Sequence, residues 1–217
     1  MDVTTVAQRD DGPDQALYSQ PPALLRPPVR RSNRRHAWEK ARARKPFAER
    51  KATGATEYDT GLTKPELDFS AEYRHVKSNA HLSEVFGIPH GSALLERSYR
   101  TSYVGDEHPL GVILSYLVRE KISANPALLD SRNEPWPGGT QAQLRTLGIE
   151  VGEITEQVTA RAAATDEARD LGLREHEPVL ALEKIVRDVT GRVVEVAHIL
   201  LPADRTQLEF HTPLDRW

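Results

Sequence analysis

Two places in this sequence carry groups that could bind an anion. Arg97 and Arg100 belong to one predicted strand, and arginine binds carboxylate and phosphate groups through parallel hydrogen bonds. Because successive strand residues point to opposite faces, arginines three positions apart face opposite sides, so at most one enters a given pocket. Thr140 and Gln141 follow a Gly-Gly pair at the start of a predicted helix, whose free N–H groups could also hold an anion.

Each of these features also has an ordinary structural explanation. A single strand arginine is often solvated, and Thr140 could be a simple helix cap. The sequence contains no cysteine, no nucleophile motif, no phosphate-binding loop and no histidine pair at metal-ligand spacing. We therefore predict no catalytic residues, no metal site and no cofactor, and we expect a binding protein rather than an enzyme.

The elements that must position these residues form an internal repeat. Each copy contains a short helix ending at a glycine, Gly87 or Gly172, and then two apolar runs separated by a polar turn. This order is typical of a helix followed by a β-hairpin. The predicted hairpins cover 93–119 and 178–201, so we expect a pseudo-symmetric sheet that holds a ligand between its halves.

The wider pattern predicts an α+β fold with a mostly antiparallel sheet and short helices. Further strands are expected at 68–76 and 149–159. Helices are expected at 79–87, before the first hairpin, and at 140–147 and 165–172, between the two hairpins. Two helix–hairpin units of this kind are therefore predicted to form one continuous sheet.

Charge and composition divide the chain into three parts. The net charge is −3, but residues 26–51 contain eleven Lys or Arg against two Glu, and the chain after them is acidic. We predict a disordered tail at 1–30, where prolines interrupt any apolar periodicity, a basic linker at 31–66 and a folded body at 67–217. The basic segment could contact nucleic-acid phosphates or could be a solvated linker.

The compartment is predicted from what the sequence lacks. No apolar run approaches the roughly 20 residues of a membrane span, and the first residues do not have the pattern of a secretion signal. The absence of cysteine fits a reducing compartment. We predict a cytoplasmic protein without a membrane partner.

The order and spacing of the hairpin residues resemble those of a known family. The second hairpin and the turn after it resemble the C-terminal half of the UTRA domain, which is the effector-sensing domain of HutC-type GntR transcriptional regulators. The stretch before it looks like the first hairpin of that domain, and the resemblance covers about 67–217. It rests on Pro109 to Leu117, Gly172, Pro178 to Glu183, Asp188, Gly191, Val193 to Glu195, and Asp204-Arg205.

The resemblance implies a fold similar to chorismate lyase, a homodimer, and a small-molecule effector that is often acidic or phosphorylated. In that family a winged helix-turn-helix binds operator DNA. Residues 1–66 contain no such pattern. We therefore expect this chain to affect nucleic acid only through a DNA-binding domain that it does not itself contain.

The resemblance also suggests effector-binding residues. Ser115 and Tyr116 match a Ser-Tyr pair of the first hairpin. Glu195 matches a glutamate that can accept sugar hydroxyls, and His198 stands where the family usually has arginine. Together with the anion-binding candidates, the predicted effector site consists of Arg97, Arg100, Ser115, Tyr116, Thr140, Gln141, Glu195 and His198.

Two departures from the family pattern affect the predicted pocket. Ile113 stands where glutamate is common, and Leu201 where tyrosine is common, so the pocket is expected to be more apolar. Two other functions stay open at this point. One is an enzyme of chorismate-lyase type, for which Arg100 and Glu195 are the nearest approach to a site. The other is a dimerisation partner of full-length regulators.

Overall fold

The fold is taken from a computed structural model, which describes residue 26 and residues 28–215. The tail predicted at 1–30 therefore lies almost entirely outside the described residues. The strands are β1 (Val29–Ser32), β2 (Leu67–Lys77), β3 (Ala93–Tyr103), β4 (Gly111–Val118), β5 (Val151–Ala162), β6 (Pro178–Asp188), β7 (Val193–Pro202) and β8 (Thr206–Glu209). The α-helices are α1 (Arg34–Ala43), α2 (Phe47–Ala52), α3 (Ala55–Thr60), α4 (Ala80–Phe86), α5 (Arg119–Ile122), α6 (Gly139–Arg145) and α7 (Thr165–Leu171).

Six strands form one antiparallel sheet in the order β2-β3-β4-β7-β6-β5. The strands β4 and β7 meet in the middle of the sheet, so each half has three strands. Each half also has the same order along the chain: an edge strand, a short helix and a hairpin. The predicted α+β fold and its internal repeat are confirmed.

The local chemistry of the repeat sets the ends of its helices. Both helices end at a glycine with left-handed backbone, at φ +65° for Gly87 and +63° for Gly172. A residue with a Cβ would be strained there, which is why the helices end at these glycines. The start of α4 is fixed by Asn79, whose side chain accepts a hydrogen bond from the Leu82 N–H at 2.8 Å.

The helices divide unequally between the two faces of the sheet. On the face that we call the outer face, α4 packs Leu82 and Phe86 against strand residues, and α7 packs beside it. On the opposite face, called the inner face, α5 and α6 bury Ile122 and Leu144 against one end of the sheet. This leaves the other end of the inner face available for a cavity. None of the helices in the described ranges has the length and apolarity to span a membrane.

The segment 31–66, predicted as a basic linker, is folded against the body. β1 pairs in parallel with β8, and α1 packs on α6. Lys40 Nζ donates to the Val151 carbonyl at 2.7 Å, and Arg31 bonds the Glu156 carboxylate. The segment is therefore more ordered than a solvated linker, because its cations find partners on the acidic body.

Candidate functional site

A cavity of about 380 Å³ lies between the inner face of the sheet and helices α1–α3. We call its sheet side the floor and its helix side, formed by residues 35–64, the roof. Its volume lies within the range of small-molecule sites in proteins. Three residues of the predicted effector site line the cavity: Ser115, Thr140 and Glu195.

The floor is built on a buried ion pair between Arg97 and Glu195. Arg97 is 1% exposed, and its Nη2 donates to Glu195 Oε1 at 2.9 Å and to Ser115 Oγ at 2.7 Å. Ser115 Oγ in turn donates to the same carboxylate oxygen at 2.5 Å. Arg97 Nη1 donates to Gln143 Oε1 at 2.6 Å, and Lys184 Nζ lies 3.0 Å from the second oxygen of Glu195. Arg97 is thus held below the floor and neutralised.

The electrostatics keep both members of this pair charged. Burial would raise the pKa of Glu195, but the charges of Lys184 and Arg97 outweigh burial and lower it. Burial would likewise lower the pKa of Arg97, but Tyr99 and Glu195 beside it raise it. The floor therefore offers a carboxylate and hydroxyl groups to a ligand, and it does not offer an unpaired arginine.

A second carboxylate, Glu134, organises the aromatic side of the cavity. Its Oε1 accepts hydrogen bonds from the hydroxyls of Tyr73 at 2.5 Å and Tyr99 at 2.9 Å. Its Oε2 accepts from the Trp136 backbone N–H at 2.6 Å. Burial raises the pKa of Tyr73 to about 12, so this hydroxyl stays a donor. The bonds fix Tyr99 and Trp136 as walls of the cavity.

The two residues that depart from the family pattern, Ile113 and Leu201, lie in different parts of the structure. Ile113 lines the main cavity, as the sequence predicts. Leu201 is 9% exposed, packs with Ile199 in the core, and lines only a smaller adjoining pocket. The apolar character of the main cavity therefore comes from Ile113 and the aromatic walls.

The roof presents two cations, Arg42 and Arg50, that form no ion pair with any residue in 28–215. Arg42 is 6% exposed, lies 5.0 Å from the Trp38 ring, and donates through Nε to the Arg50 carbonyl at 3.3 Å. Its two terminal nitrogens make no hydrogen bond or ion pair with any residue in 28–215. Arg50 lines the cavity as well, and among the described residues its side chain donates only to the Pro137 carbonyl, at 3.4 Å. Burial lowers the pKa of Arg42, and the charges of Glu39 and Glu57 oppose this shift without cancelling it.

Four residues of the predicted effector site lie away from the cavity. Arg100 pairs with Asp170 at 2.8 Å near the surface. Tyr116 and His198 face the outer side of the sheet, where their rings lie 5.5 Å apart, and Gln141 donates to a backbone carbonyl of α1 at 3.1 Å. Strand alternation explains the difference, because Tyr116 follows Ser115 directly and His198 lies three residues after Glu195.

One cluster of possible ligand groups lies on the outer face and has no local pattern in the sequence. His81 of α4, Glu183 of β6 and His198 of β7 bring their possible ligand atoms within 4.8 Å of one another. The prediction of no metal site rested on local spacing, whereas His81 and Glu183 are 102 positions apart. The roof cations were missed for a related reason, since their segment was assigned as a linker.

Comparison with known proteins gives a consistent family. The model of the UTRA domain family matches residues 71–207. SCO4628 of Streptomyces coelicolor, an uncharacterized HTH-type transcriptional regulator, is 30% identical over 122 residues, which are 56% of this chain and 45% of that protein. RB1450 of Rhizobium meliloti, described in the same words, is 24% identical over 161 residues, or 72% of this chain and 63% of that protein. The chain thus spans less than two thirds of either relative.

The fold is also similar to the folds of solved structures. The crystal structure of PhnF from Mycobacterium smegmatis matches 88% of this chain and 74% of its own, with a TM-score of 0.60. The two sequences are 18% identical. At that identity the similarity concerns the fold, and it carries no information about the ligand.

Proposed function

Because the chain belongs to the UTRA domain family, we propose that its cavity binds a small-molecule effector and thereby controls the DNA binding of a GntR-type regulator. The relatives described as HTH-type transcriptional regulators support this function. The observation that carries the proposal is the cavity of about 380 Å³ between the floor and the roof. A cavity of this size with a few convergent polar groups is typical of a small-molecule site.

The distribution of groups around the cavity suggests an effector with three parts. An anionic group, a carboxylate or a phosphate, would face Arg42 and Arg50 of the roof. Hydroxyl groups would face Glu195 of the floor and Thr140 of α6, and an apolar part would lie against Ile113 and the aromatic walls. A charged hydrogen bond of this kind contributes roughly 1.5–3 kcal/mol.

We propose that Arg42, and not Arg97, binds the anion. Arg97 faces inward, but Glu195 already neutralises it, so an anionic ligand there would meet a carboxylate as well. Arg42 is buried and forms no ion pair with any residue in 28–215, and the carboxylates of Glu39 and Glu57 act on it only from a longer distance. A ligand bound at Arg42 would contact the roof directly, so the position of the roof would depend on whether the cavity is occupied.

The finer parts of the proposal rest on the family. We place the chain in the HutC subgroup, in the cytoplasm and in a homodimer, since two-fold symmetric regulators bind two-fold symmetric operators. Operator binding is assigned to a helix-turn-helix domain outside residues 28–215. The relatives, of which this chain spans 45% and 63%, are described as HTH-type regulators.

The geometry does not favour the enzyme of chorismate-lyase type. Such an enzyme would need Arg100 and Glu195 to converge on one substrate. Arg100 instead pairs with Asp170, and Glu195 faces the cavity with Arg97 as its partner. A non-catalytic sensing role fits these positions better.

The proposal is tested by ligand binding to the purified chain. A panel of carboxylates, sugar acids and sugar phosphates is screened for compounds that raise the melting temperature, which a specific ligand does by mass action. Calorimetry then measures the dissociation constant for the parent and for Arg42→Gln. We expect Arg42→Gln to bind the ligand roughly tenfold or more weakly than the parent, since about 1.4 kcal/mol corresponds to one decade in the dissociation constant.

The matched control is Arg44→Gln. Arg44 lies two residues from Arg42, is largely exposed and pairs with Glu150 at 3.3 Å. This variant should bind the ligand as the parent does. Equal binding by Arg42→Gln and the parent would refute the anion site at the roof. A panel without any ligand that raises the melting temperature would count against the anionic effector.

A further inference from the structure

We propose that His81, Glu183 and His198 form a binding site for a divalent transition-metal ion, with Zn²⁺ as the expected occupant. Two imidazoles and a carboxylate are a common protein ligand set for zinc. All three residues offer ligand atoms within 4.8 Å of one another. The site lies on the outer face of the sheet, on the side away from the effector cavity.

The spacing of the ligand atoms suits one ion. His198 Nε2 lies 3.5 Å from Glu183 Oε1, and His81 Nε2 contacts the same oxygen. Ligand atoms bound at about 2 Å to a tetrahedral ion lie roughly 3.3 Å apart. Only a small side-chain adjustment would therefore place the three groups around a common centre.

The charge of the cluster also indicates a cation. Within residues 28–215, Glu183 forms ion pairs only with the two histidines, and it has no Lys or Arg partner. Its direct neighbour on β5 is the uncharged Gln157, and Lys184 belongs to the inner face, where it pairs with Glu195. With neutral histidines the cluster carries one negative charge, which a divalent ion would outweigh.

Ordered elements position all three ligands. Glu183 and His198 are directly opposite each other on the paired strands β6 and β7. His81 is the second residue of α4, whose start is capped by Asn79 and whose Leu82 is buried at 3% exposure. A site on rigid elements needs little reorganisation to bind its ion.

The ligand types select among metals. Imidazole nitrogen suits zinc, cobalt and nickel, whereas Mg²⁺ and Ca²⁺ prefer oxygen ligands. Three protein ligands leave at least one coordination position open, and the His81 side chain is 53% exposed. A water molecule or a group from another molecule could complete the coordination.

The ion would connect the two halves of the pseudo-repeat. α4 belongs to the first helix–hairpin unit, and β6 and β7 form the hairpin of the second. Binding of Zn²⁺ would therefore stabilise the folded chain by linking a helix of one half to the sheet of the other.

Zinc binding to the full chain, purified with any affinity tag removed, tests the site. Calorimetry with ZnCl₂ should give one ion per chain. His81→Ala, His198→Ala and Glu183→Gln should each weaken binding by at least about tenfold, the effect of losing one ligand or its support. Co²⁺ serves as a second probe, and its visible absorption should have the intensity of a four-coordinate ion in the parent only.

Two histidines outside the cluster provide the matched controls. His75 and His90 are both exposed, and His75→Ala and His90→Ala should bind Zn²⁺ like the parent. Circular dichroism checks that each variant folds. Because His81 is exposed, His81→Ala still tests the site if a variant on the sheet does not fold. The proposal is overturned if the parent shows no saturable site, or if His81→Ala binds as tightly as the parent.

Discussion

Arg97 and Arg100 show how strongly one strand position determines the role of a residue. Arg97 is 1% exposed and pairs with Glu195 on the inner face of the sheet, whereas the Arg100 side chain is 42% exposed beside Asp170. Alternation along a strand predicts that only one of them faces inward. The sequence does not say which one, because that depends on how β3 registers against β4 and on what covers each face.

The first prediction compares these two arginines. Arg97→Met leaves Glu195 buried beside a single cation, Lys184, and should lower the free energy of unfolding by about 3–5 kcal/mol. Arg100→Met removes a solvent-screened pair and should change it by less than about 1 kcal/mol. Urea denaturation of the two variants and the parent measures both values.

A similar loss in the two variants would contradict this assignment. Glu195→Gln is a useful third variant, because it keeps the shape of the carboxylate but removes its charge from between Arg97 and Lys184. It should also destabilise the chain, since two buried cations would then lie close together.

The alternation rule would also have corrected other site residues. Ser115 and Tyr116 are consecutive on β4, so they cannot both face one cavity, and Glu195 and His198 are three apart on β7. The family resemblance grouped them because it compares positions along the chain. The structure separates them into an inner site and an outer cluster.

At the scale of elements, the repeat was predictable and the roof was not. Helix ends at Gly87 and Gly172 and the polar hairpin turns are local signals, so they appear in the sequence. The roof helices are held mainly by contacts distant in sequence, such as Lys40 with the Val151 carbonyl, 111 positions away. Because such contacts have no local pattern, the segment looked like a linker.

His36 lies at the centre of the contacts that hold α1 to the body. Its Nε2 is 3.1 Å from Glu156 of β5, and its Nδ1 is 3.9 Å from Glu39. Burial would lower the pKa of His36, but the nearby carboxylates of Glu156 and Glu39 outweigh burial and raise it. Burial would raise the pKa of Glu39, but His36 and Arg35 lower it to about 2. The other charged groups in this cluster are Arg31, Arg35 and Asp59.

The second prediction concerns the pH dependence of α1. A histidine with a raised folded-state pKa stabilises fully below its unfolded value of about 6.5, and this stabilisation is lost as pH rises through the folded value. Glu39 acts in the opposite direction, and its contribution is lost only as pH falls below about 4. The amides of α1, with exchange rates corrected for their intrinsic pH dependence, should therefore become less protected as the pH rises above about 6.5.

His36→Gln is the control for this effect. The variant cannot gain a proton, so α1 should be less protected at pH 6 and should show no further loss at higher pH. The cause lies elsewhere if His36→Gln keeps the pH dependence of the parent, or if the protection of the parent increases with pH.

At the scale of the whole molecule, the charge asymmetry of the sequence is explained by docking. Residues 26–51 contain eleven cations, and the body after them is acidic. Five of these cations form ion pairs with body residues: Arg26 with Asp106, Arg30 with Glu209, Arg31 with Glu156, and both Lys40 and Arg44 with Glu150. A sixth, Arg35, pairs with Asp59 of α3. The basic segment is thus largely neutralised within the molecule.

This neutralisation predicts how the chain binds DNA. In residues 26 and 28–51, the cations without an ion pair to any described residue are Arg34, Arg42, Arg50 and Lys51. Each phosphate contact contributes about −0.9 to the slope of log K against log salt, so the chain should bind duplex DNA without sequence preference and with a slope no steeper than about −4.

A peptide of residues 26–51 has no acidic body to neutralise it and should show a clearly steeper slope. Fluorescence anisotropy with a labelled duplex between about 50 and 200 mM salt measures both slopes. Equal slopes would show that the segment leaves the body to reach DNA. A protected site that survives about 200 mM salt would show instead that the chain recognises an operator by itself.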